Sequence, residues 1–135
     1  MAEETLVKEP LSKERIEAGR KLMELLDQNN FDVVCAFWVF GSDVGWRFVI
    51  ATPLAVLEDT RLLYGRVQTM TSLIPDEFGW ISLRNIEIVR PKDQMVQVLT
   101  KAVRTDRGIH GIHISRSRVD SIFIEDAYVY RAAGA

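Results

Sequence analysis

Both histidines of the chain, four arginines and one carboxylate fall within fifteen consecutive residues, Arg104-Thr-Asp-Arg107-Gly-Ile-His110-Gly-Ile-His113-Ile-Ser-Arg116-Ser-Arg118. Arginine forks engage phosphate or carboxylate in a bidentate way, and backbone amides of a glycine-containing turn add donors. Arg104, Arg107, His110, Arg116 and Arg118 are therefore the candidate contacts to a phosphorylated ligand or a nucleic-acid backbone. For acid–base chemistry His113 is the candidate, because an imidazole titrates near neutrality, with Asp106 as its orienting carboxylate. The competing reading is structural. Arginines at a helix end satisfy its carbonyls, and arginines in a turn are solvated.

Other chemistries find less support. His110 and His113 are three apart, a spacing that on an extended strand sends them to opposite faces, so they do not share one metal ion. No metal and no cofactor is expected. His113-Ile-Ser115 resembles one half of the paired His-x-Ser/Thr signature of two-histidine phosphoesterases. The chain has no second copy, and with it goes the acid and base pair that such chemistry requires. Asp76 and Glu87 are similar in outline to the metal-binding carboxylates of restriction-type nucleases, but Val89 stands where those enzymes carry lysine. Ser42, Ser115 and Ser117 lack a nucleophile-elbow context, and Cys35 lies in the most apolar stretch, where a thiolate is disfavoured. The glycines at 41, 45, 108 and 111 form no phosphate loop, since none opens a helix.

The elements that position these residues follow from periodicity. Ser12 caps a helix whose apolar positions Ile16, Leu22, Met23, Leu25 and Leu26 recur at helical spacing, and Asn29-Asn30 ends it. Phe31 to Phe40 is almost wholly β-branched, aromatic or small apolar, which marks a central strand covered on both faces. Turn residues 41–45 lead into a second strand, Trp46 to Thr52, with Trp46, Phe48 and Ile50 on one side. Pro53 opens a helix with Val56, Leu63, Val67, Met70 and Ile74 inward. Ile81 to Ile88 is a strand whose alternation changes phase near Arg84-Asn85, and Pro91 opens a helix carrying Met95, Val96, Leu99, Ala102 and Val103 that closes near Gly108. Ile109 to Ser115 and Ser121 to Tyr130 are two strands joined by a polar, Arg-rich turn, with Glu125-Asp126 a potential break. The aromatic group Phe37, Trp38, Phe40, Trp46 and Trp80 is assigned to the core.

The order is α-β-β-α-β-α-β-β, an α+β fold with helices packed on a largely antiparallel mixed sheet as a single pair of layers. Residues 1–10 form a lead-in, 11–131 one domain and 132–135 a loose tail. With 47% hydrophobic and 27% charged residues the chain has the composition of an ordinary globular domain, not a disordered one. A net charge of -2 argues against a protein built chiefly to coat nucleic acid or anionic lipid. One cysteine closes no internal disulfide and the first thirty residues hold no apolar leader run, so a cytoplasmic setting is expected. The longest apolar run, Val33 to Phe40, is far short of a membrane span. The functional expectation is a noncatalytic protein-interaction module acting as a homo-oligomer, with pairing through the edge of the final, Tyr128- and Tyr130-bearing strand. The alternative is a binding or hydrolytic domain for a phosphate-bearing ligand built on residues 104–118.

Overall fold

A five-stranded sheet in the order β3-β2-β1-β5-β4 organises the chain. The computed structural model describes residues 10–75 and 83–133. Its strands are β1 (Cys35–Gly41), β2 (Gly45–Ala51), β3 (Ile86–Val89), β4 (Ile112–Val119) and β5 (Ile122–Ala132), and its helices are α1 (Lys13–Gln28), α2 (Leu54–Leu57), α3 (Thr60–Thr71) and α4 (Gln94–Ala102). β2 and β3 pair in parallel and the other three pairings are antiparallel, so the α+β class and mostly antiparallel sheet implied by the sequence are the observed ones.

β1 is central and buried along both faces, which explains its unbroken apolar run. Ala36, Trp38 and Phe40 enter one core cluster with Trp46, Phe48 and Ile50 from β2 and the inward residues of α1 and α3. Phe37 and Val39 enter the other, with Val96, Val98 and Leu99 of α4. Helices thus cover both faces of the sheet, so three layers stand where the patterning suggested two. Trp80 lies outside the described residues.

α1 begins where expected, the Ser12 hydroxyl accepting from the Arg15 amide at 3.1 Å. It ends in a Schellman motif: Asn30 takes a left-handed φ of 55°, its amide reaches Asp27 O, and the Phe31 amide reaches Leu26 O. Phe31 and Leu26, both buried, supply the accompanying apolar contact.

Three expectations are revised. The helix read from Pro53 to Ile74 is broken at Glu58-Asp59: Asp59 caps α3 through its bond to the Arg61 amide, and Val56, assigned inward, is 58% exposed. Leu83–Asn85 is a 3-10 turn, so β3 starts only at Ile86, where the change of phase had been read. β5 runs on through Arg131 and Ala132, both buried, and the Ala133 amide bonds Val34 O, so the chain is tied down where a loose tail was expected.

The β4–β5 hairpin turns at Asp120-Ser121, whose φ values of 56° and 91° are the two positive angles of a type I′ turn. Arg116 and Arg118 therefore belong to β4 and not to an Arg-rich turn. β5 is interior, flanked by β1 and β4, so the final strand has no free edge to offer a second copy. β4 and β3 are the edges.

Candidate functional site

Two irregularities in β5 decide what its side chains reach. Against β1 the pairing steps from Ala36↔Arg131 to Phe37↔Val129, a bulge that leaves Tyr130 as the extra residue. Tyr130 and Arg131, adjacent in sequence, consequently both reach α1. The Tyr130 hydroxyl donates to Ile16 O at 2.6 Å and accepts from Trp38 Nε1 at 3.2 Å. Burial holds the Tyr130 phenol well above its usual ionisation range, against the bond from Trp38, which works the other way. Arg131 grips Asp27 with both terminal nitrogens, at 3.0 and 2.8 Å, and also donates to Val33 O and Gly108 O.

The second irregularity lies midway along the hairpin. Arg116 has φ 49°, and the register passes from Ser115↔Asp126 to Ser117↔Ile124 with Arg116 and Glu125 between them unpaired. Ile112, Ile114, Ala127 and Val129 share one core cluster with Val119, Ile122 and Ile124, so the alternation slips by one residue on both strands together. Glu125-Asp126 thus shifts the phase of β5 without breaking it. Asp126 comes onto the same face as Tyr128 and, across the ladder, His113.

There the His113 Nε2 lies 2.5 Å from Asp126 Oδ1. The Asp126 side chain is 8% exposed and the His113 ring 62% exposed. A carboxylate on Nε2 fixes the neutral ring as the Nε2–H tautomer. Its other nitrogen, Nδ1, has no hydrogen-bond partner among the described residues. The pair sits on a cavity of about 230 Å³ whose other described walls are Pro10, Leu11, Ile16, Trp46 and Tyr128. The Tyr128 hydroxyl lies against Gly111, only 2.2 Å from where a Cβ there would stand, so glycine is what lets this ring lie over β4.

The sequence had paired His113 with Asp106. Asp106 instead bonds His110, Nε2 to Oδ1 at 2.7 Å, and accepts the Gly108 amide at 2.8 Å. The His110 bond and then the Gly108 amide hold the Asp106 carboxyl below its ordinary range. The partner of His113 was legible in principle: once Asp120-Ser121 is taken as a two-residue turn, the register opposes Ser115 to Asp126 and His113 to Tyr128.

The candidate arginines stand in separate surroundings. Arg107 pairs with Asp32 at 2.9 Å beside a cavity shared with Arg131 and Asp27. Arg104 lines another with Val34, Thr100 and Lys101, and Arg118 packs over the Phe123 ring at 5.8 Å. Comparison with known protein families, curated proteins and solved structures finds no match.

The remaining expectations can be placed directly. Glu87 is ion-paired to Arg47 at 2.5 Å, and Asp76 lies outside the described residues. Among the described residues no three His, Cys, Asp or Glu side chains are placed to hold a metal ion. The Ser115 hydroxyl makes no bond to His113. Cys35 is buried, and burial pushes its thiol up to about 12. No described helix is long and apolar enough to cross a membrane.

Proposed function

We propose that this protein is an interaction module that acts as a homodimer through the outer face of α2 and α3. The observation that carries the reading is a concentration of exposed apolar side chains. Among the described residues six large hydrophobic side chains are exposed, and four of them, Val56, Leu57, Leu62 and Leu73, belong to this one segment. Leu57 is 77% exposed, Leu62 65% and Leu73 64%, values that leave each side chain with little intramolecular reason to be apolar.

The pattern along α3 supports a second copy as the occupant. Leu62, Gly65, Thr69 and, in the turn that follows, Leu73 recur at intervals of three and four, so they form one stripe without a charge on it. Arg66, on the border of that stripe, is drawn away: it bonds Asn29 O and lies over the Phe31 ring. A Cβ at Gly65 would meet nothing within 4 Å, so the middle of the stripe is open for close approach. Two such helices crossing antiparallel about a two-fold axis set Leu62 against Leu73 of the second copy, with the small residues Gly65 and Thr69 at the crossing. This is the self-complementarity a two-fold interface requires.

Sedimentation equilibrium of the full chain tests the reading. A dimer is expected for the native chain and monomers for Leu62→Lys and for Leu73→Glu alone. Mixing the two variants restores a heterodimer, because the lysine of one then faces the glutamate of the other. A native monomer, or a dimer untouched by either substitution, overturns the proposal.

A further inference from the structure

The cavity at the end of α1 shares no residue with the α2–α3 face and carries an inference independent of the dimer. We propose that it binds a free α-amino acid, the Arg107 guanidinium taking the carboxylate and the Asp32 carboxylate taking the ammonium group.

The cavity, about 410 Å³ in volume, is lined by Asp27, Asn30, Asp32, Val33, Arg107 and Arg131 and falls within the size range of small-molecule pockets. Its inner ion pair is rigid. Arg131, 3% exposed, holds Asp27, Val33 O and Gly108 O at once, which fixes the segment carrying Asp32 against the loop carrying Arg107. Each segment is stiffened further. The Phe31 carbonyl accepts the Thr52 hydroxyl at 2.8 Å, and Asp106 and Gly108, the two neighbours of Arg107, are bonded to each other at 2.8 Å. Asp32 keeps a left-handed φ of 56° outside the helix cap that accounts for the same conformation at Asn30, a backbone state retained where the surroundings impose it.

The outer ion pair is open. Arg107 and Asp32 meet at 2.9 Å with side chains 59% and 47% exposed. Their bond uses only Nη1 of the arginine and Oδ1 of the aspartate. Nε and Nη2, the edge of a guanidinium that grips a carboxylate in a bidentate way, make no bond among the described residues, and neither does Oδ2 of Asp32.

A donor fork and a carboxylate oxygen therefore stand side by side on one ion pair, ready for a second pair of charges. A ligand anion satisfies the fork and a ligand cation satisfies the oxygen. A ligand carrying the two charges on adjacent carbons satisfies both together, and it adds no net charge to a described lining of two carboxylates and two guanidiniums. An α-amino acid, zwitterionic at neutral pH, is that ligand.

Titration of the full chain with L-alanine at neutral pH, followed by amide proton–nitrogen NMR, tests the site. Saturable shifts are expected in residues 27–33 and 105–110. Arg107→Gln should weaken binding about tenfold or more, and so should Asp32→Asn, which suits the left-handed position; both side chains are exposed, and the amide spectrum of each variant reports that the fold is kept. N-acetylalanine, which lacks the ammonium group, and alaninamide, which lacks the carboxylate, should each bind more weakly than alanine by a similar factor. Absence of saturable shifts overturns the site. Binding that survives both substitutions overturns its location, and N-acetylalanine or inorganic phosphate binding as tightly as alanine shows an anion site and overturns the ligand class.

Discussion

The Tyr130 hydroxyl stands 2.3 Å from the point where a Cβ on Gly19 would lie, and the Trp38 indole nitrogen 2.9 Å from it. α1 can settle on the sheet only because residue 19 has no side chain. The contact is also what delivers Ile16 O to the phenol. Mid-helix glycine ordinarily costs about 0.5–1 kcal/mol relative to alanine, so Gly→Ala usually stabilises. Here the sign reverses. Gly19→Ala is expected to destabilise by about 1–3 kcal/mol, because Tyr130 and Trp38 are both fully packed and cannot withdraw. Urea denaturation measures it, and a stability equal to or above the parent's would show that α1 tolerates lifting from the sheet.

Arg131 is 3% exposed and spends its donors on Asp27, Val33 O and Gly108 O, tying the end of α1 to the segment before β1 and the loop before β4. Removing the carboxylate leaves a buried guanidinium with carbonyl partners alone. Asp27→Ala should cost about 2 kcal/mol. That is less than the 3–5 kcal/mol typical of a fully buried pair, because the Asp27 side chain is itself 39% exposed and screened by water. Asp32→Asn, which breaks the solvent-exposed pair with Arg107 while keeping a residue type suited to the left-handed φ of 56° at this position, should cost under about 1 kcal/mol. Equal losses at the two sites would refute the distinction.

Elements whose formation is local were legible, and relations set by distant partners were not. Ser12 and Asn29-Asn30 bound α1 because capping chemistry lies within a few residues of the helix it stops. The two-sided burial of β1 was readable because every position in it is apolar. Val56 looked inward because it matched a helical period that the Asp59 cap then interrupted. The burial of Arg131 depends on Asp27, 104 residues away, and nothing near Arg131 in sequence announces it. His113 was picked out by its chemistry, but the sequence offered Asp106 as the nearest carboxylate. The phase shift at Arg116 and Glu125 brings Asp126 round instead, and that shift needs both strands to be seen together.

Cys35 is packed among apolar side chains and its thiol is pushed up to about 12 by burial, against a bonding contribution from Thr100 that works the other way. The folded value is raised, so the neutral thiol contributes stability that is fully present below the ordinary value of 9.0 and is lost as pH rises toward 12. Across that alkaline window the native chain should lose stability relative to Cys35→Ala. At neutral pH a thiol reagent should label Cys35 only as fast as the core opens, so labelling should accelerate with urea. Rapid labelling under native conditions would contradict the assignment.

Asp106 is held below its ordinary value of 3.8 chiefly by the His110 bond and next by the Gly108 amide. A depressed carboxylate contributes to folding above its ordinary value and ceases to do so as pH falls through the lowered one. The Asp106 carboxyl carbon should therefore titrate below 3.8 by NMR, and His110→Ala should bring the midpoint back toward it. An unchanged midpoint in that variant would assign the depression to the Gly108 amide alone.

Gly65 provides the counterpart to Gly19. Both are helical, yet the space around a Cβ at 65 is empty where that at 19 is occupied. Within one chain Gly65→Ala should follow the ordinary rule and stabilise α3 by about 0.5–1 kcal/mol. At the proposed two-fold contact the added methyl lies where the helices cross and pushes them apart. The variant should then raise the urea midpoint at dilutions where the protein is monomeric while weakening self-association several-fold. Opposite movements of the two quantities distinguish a used helix face from a merely exposed one. Stabilisation without any loss of association would place the contact elsewhere on the molecule.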